Sequence, residues 1–257
     1  MRENPVKRKL ARGETAIGTM MMEFATRGIG RLAAAAGAEF AVLDMEHSGW
    51  SIETIAMLLA SSRSANLVPL VRPPAVQSHY IARALDMGAM GIVMPFIDEP
   101  EQAEFVVQCT RYPPEGRRGA AFVIGHDDYT PGDVAQKMRS ANEEVLVVVQ
   151  IESTRGLENV EKIASVPGVD AVWIGQFDLT ASLGIPGNVQ HPQFQQAQSR
   201  ILRACQAAGV AAGYGSLFLD DVVAARSAGF QFLVYTADLW IYQRALRDGI
   251  RTIRGER

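Results

Sequence analysis

Eight short apolar runs, each followed by a longer segment of helical pattern, constrain this chain more than any other feature. The runs fall near residues 16–20, 40–44, 67–72, 91–95, 146–151, 171–175, 210–214 and 231–235. They are apolar on both faces, as strands must be when helices cover one side and a filled core the other. The segments between them, at 26–37, 52–62, 76–87, 99–109, 155–165, 192–208, 219–228 and 238–253, are alanine-rich or amphipathic. Strand–helix alternation implies parallel strands joined by right-handed crossovers. Gly37, Gly88, Gly209 and Gly229 fall where helices would stop shortly before a strand, and glycine is the residue that most easily takes the left-handed conformation there. Eight such units in 257 residues match one (β/α)8 TIM barrel, which typically needs about 250 residues. The expected fold class is therefore α/β, with a single barrel domain over residues 1–257.

Composition narrows the partners. A net charge of −3 offers no electrostatic case for nucleic acid or an anionic membrane surface. No stretch approaches the ~18 uninterrupted apolar residues of a membrane helix, and no charged-then-apolar leader opens the sequence. Cys109 and Cys205 are too isolated for a disulfide framework or a zinc spacing and read as small buried side chains. The expectation is a soluble cytoplasmic protein with small-molecule partners. Lys7-Arg8-Lys9 reads as a solvated terminus. Residues 111–145 are too long for an ordinary connection, and such loops are often lids. They follow the fourth strand, so they are expected on its C-terminal side, over the site.

The chemistry-bearing residues lie at strand tails, which in a parallel barrel all open on one face. Glu152 follows Val147-Val148-Val149-Gln150-Ile151, and Asp178 follows Ala171-Val172-Trp173-Ile174-Gly175-Gln176-Phe177. Two carboxylates from neighbouring tails suit a hard divalent ion such as Mg2+ or Mn2+, which also keeps waters and takes substrate oxygens. Solvated loop acids, or a helix cap at Asp178, account for the same spacing. His47 follows Asp44-Met45-Glu46 and suits proton transfer near neutral pH, or simply packs in its loop. Arg72 precedes Pro73-Pro74; its guanidinium suits a carboxylate, a keto oxygen or a developing enolate, or a salt bridge between strand tails. His79 and His191 read as surface or loop residues, and His126 as a loop contact. The backbone N–H groups near Phe177 and Asp178, where the chain turns into a helix, suit a substrate carboxylate. The four lysines, Lys7, Lys9, Lys137 and Lys162, all lie away from strand tails. A Schiff-base mechanism is therefore disfavoured, and carbonyl activation falls to a metal acting as Lewis acid.

Six motifs in order carry a resemblance: Leu43-Asp44-Met45-Glu46-His47, Val71-Arg72-Pro73, Ala84-Leu85-Asp86-Met87-Gly88-Ala89, Arg111-Tyr112-Pro113-Pro114-Glu115-Gly116 with Arg118-Gly119, Val149-Gln150-Ile151-Glu152-Ser153, and Asp178-Leu179-Thr180-Ala181-Ser182-Leu183-Gly184. Together they resemble the HpcH/HpaI aldolase family of metal-dependent class II pyruvate aldolases, from about Gly18 to about Ile250. The resemblance implies that Glu152 and Asp178 ligate the metal, that His47 is the base, and that Arg72 steadies the enolate. It also implies that Gln150 and the backbone at Phe177 and Asp178 contact substrate, that Asp86 raises the basicity of the histidine, and that the chain forms a hexamer built as a trimer of dimers. Mg2+ or Mn2+ is the expected metal, with Co2+ or Zn2+ as alternatives. The chain departs from the family at Met45, Gln176 and Phe177, and at the tails Tyr214-Gly215-Ser216 and Tyr235-Thr236-Ala237-Asp238. These positions bear on the acceptor side of the pocket.

The expected reaction is reversible cleavage of a 4-hydroxy-2-oxo acid to pyruvate, or a similar 2-oxo acid, plus an aldehyde. Two rivals stand beside it. One is an oxo-acid decarboxylase or citrate-lyase-beta-like acyl-CoA lyase on the same site, with Arg111, Arg117 and Arg118 near the mouth for CoA phosphates. The other is a barrel that binds an oxo acid without chemistry.

Overall fold

A computed structural model of the chain describes residues 2–256. Eight strands close into a parallel barrel in chain order: β1 (Ala16–Met21), β2 (Phe40–Asp44), β3 (Val68–Arg72), β4 (Gly91–Met94), β5 (Leu146–Ile151), β6 (Ala171–Ile174), β7 (Ala211–Ser216) and β8 (Phe232–Ala237). The helices are α1 (Pro5–Ala11), α2 (Ile29–Ala35), α3 (Ile52–Ser64), α4 (Ser78–Asp86), α5 (Pro100–Thr110), α6 (Val134–Glu144), α7 (Thr154–Glu158), α8 (Val160–Ala164), α9 (Gln176–Ser182), α10 (Pro192–Ala208), α11 (Leu219–Ala228) and α12 (Asp238–Arg254). The eight-strand barrel read from the sequence is the fold, with every strand within two residues of its expected ends.

Two apolar layers follow from the two-residue period of a strand. Ala41, Leu43, Val147, Val149, Val172 and Leu233 face the helices in one buried cluster. Phe40, Val42, Val68, Leu70, Leu146, Val148, Trp173, Phe232 and Val234 fill the barrel in a second. Phe40 stacks on Phe232 at 4.4 Å and Trp173 meets Phe232 edge-on at 5.8 Å; such aromatic pairs each add about 1 kcal/mol beyond their burial. The same period carries polar residues to the top of four inward columns. Phe40 and Val42 lead to Asp44, Val68 and Leu70 to Arg72, Leu146 and Val148 to Gln150, and Phe232 and Val234 to Thr236. The barrel is apolar below and polar at its C-terminal mouth.

Two expectations are corrected here. The Lys7-Arg8-Lys9 run belongs to α1, which plugs the bottom of the barrel with Val6 and Leu10. Its N-cap Asn4 is fully buried, and its side-chain amide donates to the Met90 and Glu144 carbonyls. Lys7 donates to the Val145 carbonyl at 2.8 Å, and Lys9 pairs with Glu39 at 2.6 Å. The run is therefore engaged with the barrel rather than simply solvated.

The segment after Thr110 does not cover the mouth. α5 carries the chain back from the C-terminal end of β4, so residues 111–133 lie at the opposite end. They are held there by Arg118 on Asp86 at the end of α4, and by Asn142 of α6, which accepts from the Tyr112 N–H at 2.7 Å. Arg111 and Arg118 are buried there, and Arg117 lies over the Phe105 ring at 4.2 Å. The arginine patch of the acyl-CoA alternative is thus remote from the mouth. His126 is buried in this segment, with Nε2 at 2.7 Å from the Ala121 carbonyl. Burial outweighs that contact and holds its imidazole below the usual range. Cys109 and Cys205 are free and buried, as expected, and burial pushes the Cys205 thiol up to about 12.

Candidate active site

One cavity at the C-terminal mouth is lined by His47, Arg72, Gln150, Glu152, Phe177 and Asp178. These are the sequence-predicted site residues with one exception, Asp86. They come from β2, β3, β5 and β6 because each lies at or just beyond a strand tail.

Glu152 is 3 % exposed. Its Oε2 accepts the Phe96 backbone N–H at 2.8 Å, and its Oε1 lies 3.4 Å from the Gln150 amide nitrogen. Burial pushes the carboxyl up to about 7; the Phe96 N–H opposes this, the charge on Glu46 adds to it, Arg72 opposes it and Asp178 adds to it. Gly175 makes this position sterically possible. A Cβ there would stand 2.1 Å from Glu152 Oε1 and 2.3 Å from its Cγ. Phe96 holds a left-handed backbone at φ +50°, an uncommon conformation for a bulky residue, in the tail that presents its N–H to Glu152.

Asp178 sits in the first turn of α9, whose N-cap is Gly175. It is thus a first-turn acid, not the cap that the sequence also allowed. Phe177 beside it is exposed at the rim.

Arg72 and Asp44 are register partners across β3 and β2. Arg72 Nε and Nη2 each donate to Asp44 at 2.8 Å, and both residues are buried. A buried two-point pair of this kind does little for stability but fixes the plane of the guanidinium. Two of its five N–H groups are committed to Asp44, leaving others for a ligand. Glu46 Oε2 lies 3.3 Å from Arg72 Nε and 3.5 Å from His47 Nε2. Burial raises the Glu46 carboxyl above the usual range, against the pull of Arg72 and His47. His47 itself is half exposed. The sequence placed Asp44 and Glu46 beside His47; the structure gives Asp44 to Arg72 and leaves Glu46 between Arg72 and His47.

Asp86 is not in this site. α4 begins at the mouth and runs back, so its last residue lies at the far end of the barrel, paired with Arg118 at 2.6 Å. Among the described residues His47 and Asp86 form no ion pair. Three contributors escaped sequence reading: the Phe96 N–H, Gly175 as a space-maker, and the wall of Met20, Trp173, Val234 and Trp240. Only the inward period of the strands could have found part of that wall.

The donor set fits a hard divalent ion. Glu152 and Asp178 offer carboxylate oxygens from adjacent strand tails, and the burial-raised proton affinity of Glu152 is what a nearby cation would relieve. Gln150 Oε1 is buried without a hydrogen-bond partner in the same cavity. No cluster of three or more His, Cys, Asp or Glu side chains is present among the described residues. Water and substrate would therefore complete the shell, as is usual for Mg2+ held by one or two carboxylates.

The fold is a closed (β/α)8 barrel with a cavity of polar side chains at its mouth, and comparison with known proteins gives the class. The HpcH/HpaI aldolase/citrate lyase family profile matches residues 24–239, and the chain belongs to that family. It is 35 % identical to the hydroxypyruvate/pyruvate aldolase of Paraburkholderia phytofirmans over 98 % of both chains. It is 36 % identical to the 2-keto-3-deoxy-L-rhamnonate aldolase of Klebsiella pneumoniae over 95 % of this chain and 90 % of that one. The crystal structure of an HpcH/HpaI aldolase from Desulfitobacterium hafniense superposes with a TM-score of 0.94 at 30 % identity, covering 98 % of this chain and 97 % of the other. The chain is an enzyme of the carbon–carbon lyase class.

Proposed function

We propose that this chain is a metal-dependent aldolase that reversibly cleaves a 4-hydroxy-2-oxo acid to pyruvate, or a similar 2-oxo acid, plus an aldehyde. The observation that carries the reading is the convergence of buried Glu152 and Arg72 with Asp178 and half-exposed His47 on one cavity at the barrel mouth. Relatives named hydroxypyruvate/pyruvate aldolase and 2-keto-3-deoxy-L-rhamnonate aldolase support it.

Glu152 and Asp178 hold a divalent ion, Mg2+ or Mn2+, with Co2+ or Zn2+ as alternatives. When bound, that ion supplies Lewis acidity to a 2-oxo acid carbonyl. The N–H groups of Phe177 and Asp178 in the first turn of α9 receive the substrate carboxylate. Gln150 fixes the substrate between Glu152 and the barrel wall.

In cleavage, His47 takes the proton of the 4-hydroxyl, directly or through a water. The C3–C4 bond then breaks, the aldehyde leaves, and its bonding electrons pass into the enolate of pyruvate. Arg72, held rigid by Asp44, faces the negative charge as it develops, where stabilisation lowers the barrier. A proton returned to C3 gives pyruvate. Alanine at Glu152 should lower pyruvate release from a 4-hydroxy-2-oxo acid by at least about a hundredfold, since even supporting residues of metal sites matter at that scale. Undiminished release, followed with a coupled lactate dehydrogenase assay, would contradict the mechanism.

The proposed assembly is a hexamer, a trimer of dimers, of one-domain subunits in the cytoplasm. One feature supports an oligomer. The exposed face of α12 carries Ile241, Tyr242, Leu246, Ile250 and Ile253, and an apolar stripe of this size usually meets a partner. An Asp86 that raises the basicity of His47 must also come from a second copy, because one barrel keeps them at opposite ends. Sedimentation should return a particle of about six chains; a stable, active monomer would exclude both the assembly and this role of Asp86.

A further inference from the structure

Three successive N–H groups just past β1 share one acceptor. Those of Met22, Glu23 and Phe24 donate to the Asp238 carboxylate at 3.0, 3.2 and 2.8 Å. The Leu239 N–H donates to it at 2.9 Å. Oδ1 serves Met22 and Leu239, and Oδ2 serves Glu23 and Phe24. Asp238 is the first residue of α12 and is 9 % exposed. Hydrogen bonds to an ionised acceptor are stronger than neutral ones, so this one carboxylate clips the tail of β1 to the start of α12.

The sheet cannot fix that stretch. β1 pairs with β2 only as far as Met21. Against β8 the register slips: Gly18 faces Val234, but Met20 faces Ala237. Thr236 lies in the slip at φ +52°, and such bulges re-aim the chain beside active sites. Beyond the slip the two strands are joined through Asp238 instead. Phe24 also meets Tyr242 of α12 edge-on at 5.5 Å, a second tie between the same two segments.

Among the described residues Asp238 stands outside the cavity wall, yet the clip joins two members of it, Met22 and Trp240. The order of strands round the barrel says which part of a substrate meets them. Glu152 and Asp178 follow β5 and β6, Arg72 ends β3, and His47 follows β2. In the reaction proposed above, the 2-oxo acid is held at β5 and β6, its enolate faces Arg72, and His47 takes the proton of the 4-hydroxyl. The chain beyond C4 then continues to the next strands round the ring, β1 and β8, where Met22 and Trp240 stand. We propose that Asp238 is a positioning residue for the aldehyde half of the substrate, acting through Met22. The assignment to the aldehyde half rests on the aldolase reading; the clip rests on the hydrogen bonds alone.

The test uses Asp238→Asn, which keeps the shape but turns an amide nitrogen toward two N–H groups. On the Mg2+-loaded enzyme, addition of pyruvate to an aldehyde is followed with whichever of glycolaldehyde, glyceraldehyde and propanal the parent takes most readily. The KM for the aldehyde should rise about tenfold, the scale of lost hydrogen bonds to a charged group. The KM for pyruvate and deuterium exchange at its methyl group should not change, since both depend on the β2 to β6 side. Met22→Ala should raise the aldehyde KM in the same way, and adding Asp238→Asn to it should then have little further effect, because residues acting as a unit are not additive. A KM for the aldehyde that stays at the parent value would overturn the proposal. So would methyl exchange that falls in step with addition, which marks general damage to the site. Met22→Ala leaves the clip intact, so an unchanged aldehyde KM in that variant overturns the proposal even where Asp238→Asn does not fold. Amide hydrogen exchange in the peptide spanning residues 20–27 reads the clip separately. It should quicken in Asp238→Asn, and an unchanged rate would show that the carboxylate does not hold the β1 tail. A parent enzyme without methyl exchange removes the aldolase reading and the aldehyde assignment with it, while the amide result still decides the clip.

Discussion

Gly175 shows how closely single residues decide this site. It joins β6 to α9 with ordinary backbone angles, φ −84° and ψ 85°, so conformational freedom does not explain it. Space does: any Cβ would overlap the Glu152 carboxylate. Gly175→Ala should therefore displace Glu152 while leaving the barrel folded. A displacement near 1 Å at a reacting centre lowers rates by about a hundredfold, and that loss should appear in pyruvate release with a little-changed melting temperature. Wild-type activity in Gly175→Ala would mean that the position of Glu152 is not critical. At this scale the sequence was partly legible. His47, Arg72, Glu152 and Asp178 could be seen because each follows an apolar run. The partnership of Asp44 with Arg72 could not, because it depends on the register between β2 and β3, which no local pattern states. Asp86 differs again: its role is implied by resemblance alone, and the direction of α4 puts it at the other end of its own barrel.

Elements were the most legible scale, because period and punctuation are local. Apolar runs and stop glycines locate all eight strands and most of the helices. Failures came where charge or length masked packing. α1 reads as a basic tail, yet its Val6 and Leu10 close the barrel floor. Residues 111–145 read as a lid only until α5 is seen to return the chain. That segment is held by a carboxylate at its centre. Burial alone would raise the Asp127 carboxyl, but the Lys137 ammonium at 2.5 Å and the N–H groups of Val123 and Ile124 at 2.8 Å outweigh it and hold it at about 2. A folded-state value below the ordinary 3.8 means stabilisation that is complete above that value and lost as pH falls through about 2. Asp127→Asn should lower the urea midpoint at about pH 6, and the gap from the parent should shrink as the pH is taken from about 4 to about 2. A gap that stays constant over that window would show that the charge of Asp127 does not hold the segment.

At the scale of the whole molecule, the barrel separates two tasks. Apolar columns fill its lower part, and the same columns, continued upward by the two-residue period, end in Asp44, Arg72, Gln150 and Thr236 at the mouth. Chemistry is thus set on rigid strand tails, as positioning of reacting groups requires. The far end is tied by α1, by Arg118 on Asp86 and by the segment around Asp127. Net charge adds little to this division, since −3 over 257 residues neither steers nor repels a small anionic substrate strongly.

The measurement that bears most directly on this account is deuterium exchange at the methyl group of pyruvate in heavy water, followed by NMR, with Mg2+ or Mn2+ and again with EDTA. It needs no knowledge of the aldehyde, because enolate formation is common to every acceptor. Exchange that requires the metal, and that falls with Glu152→Ala, is the predicted result. Exchange that persists undiminished in EDTA, or that is absent with pyruvate, hydroxypyruvate and 2-oxobutyrate alike, would contradict a metal-dependent aldolase.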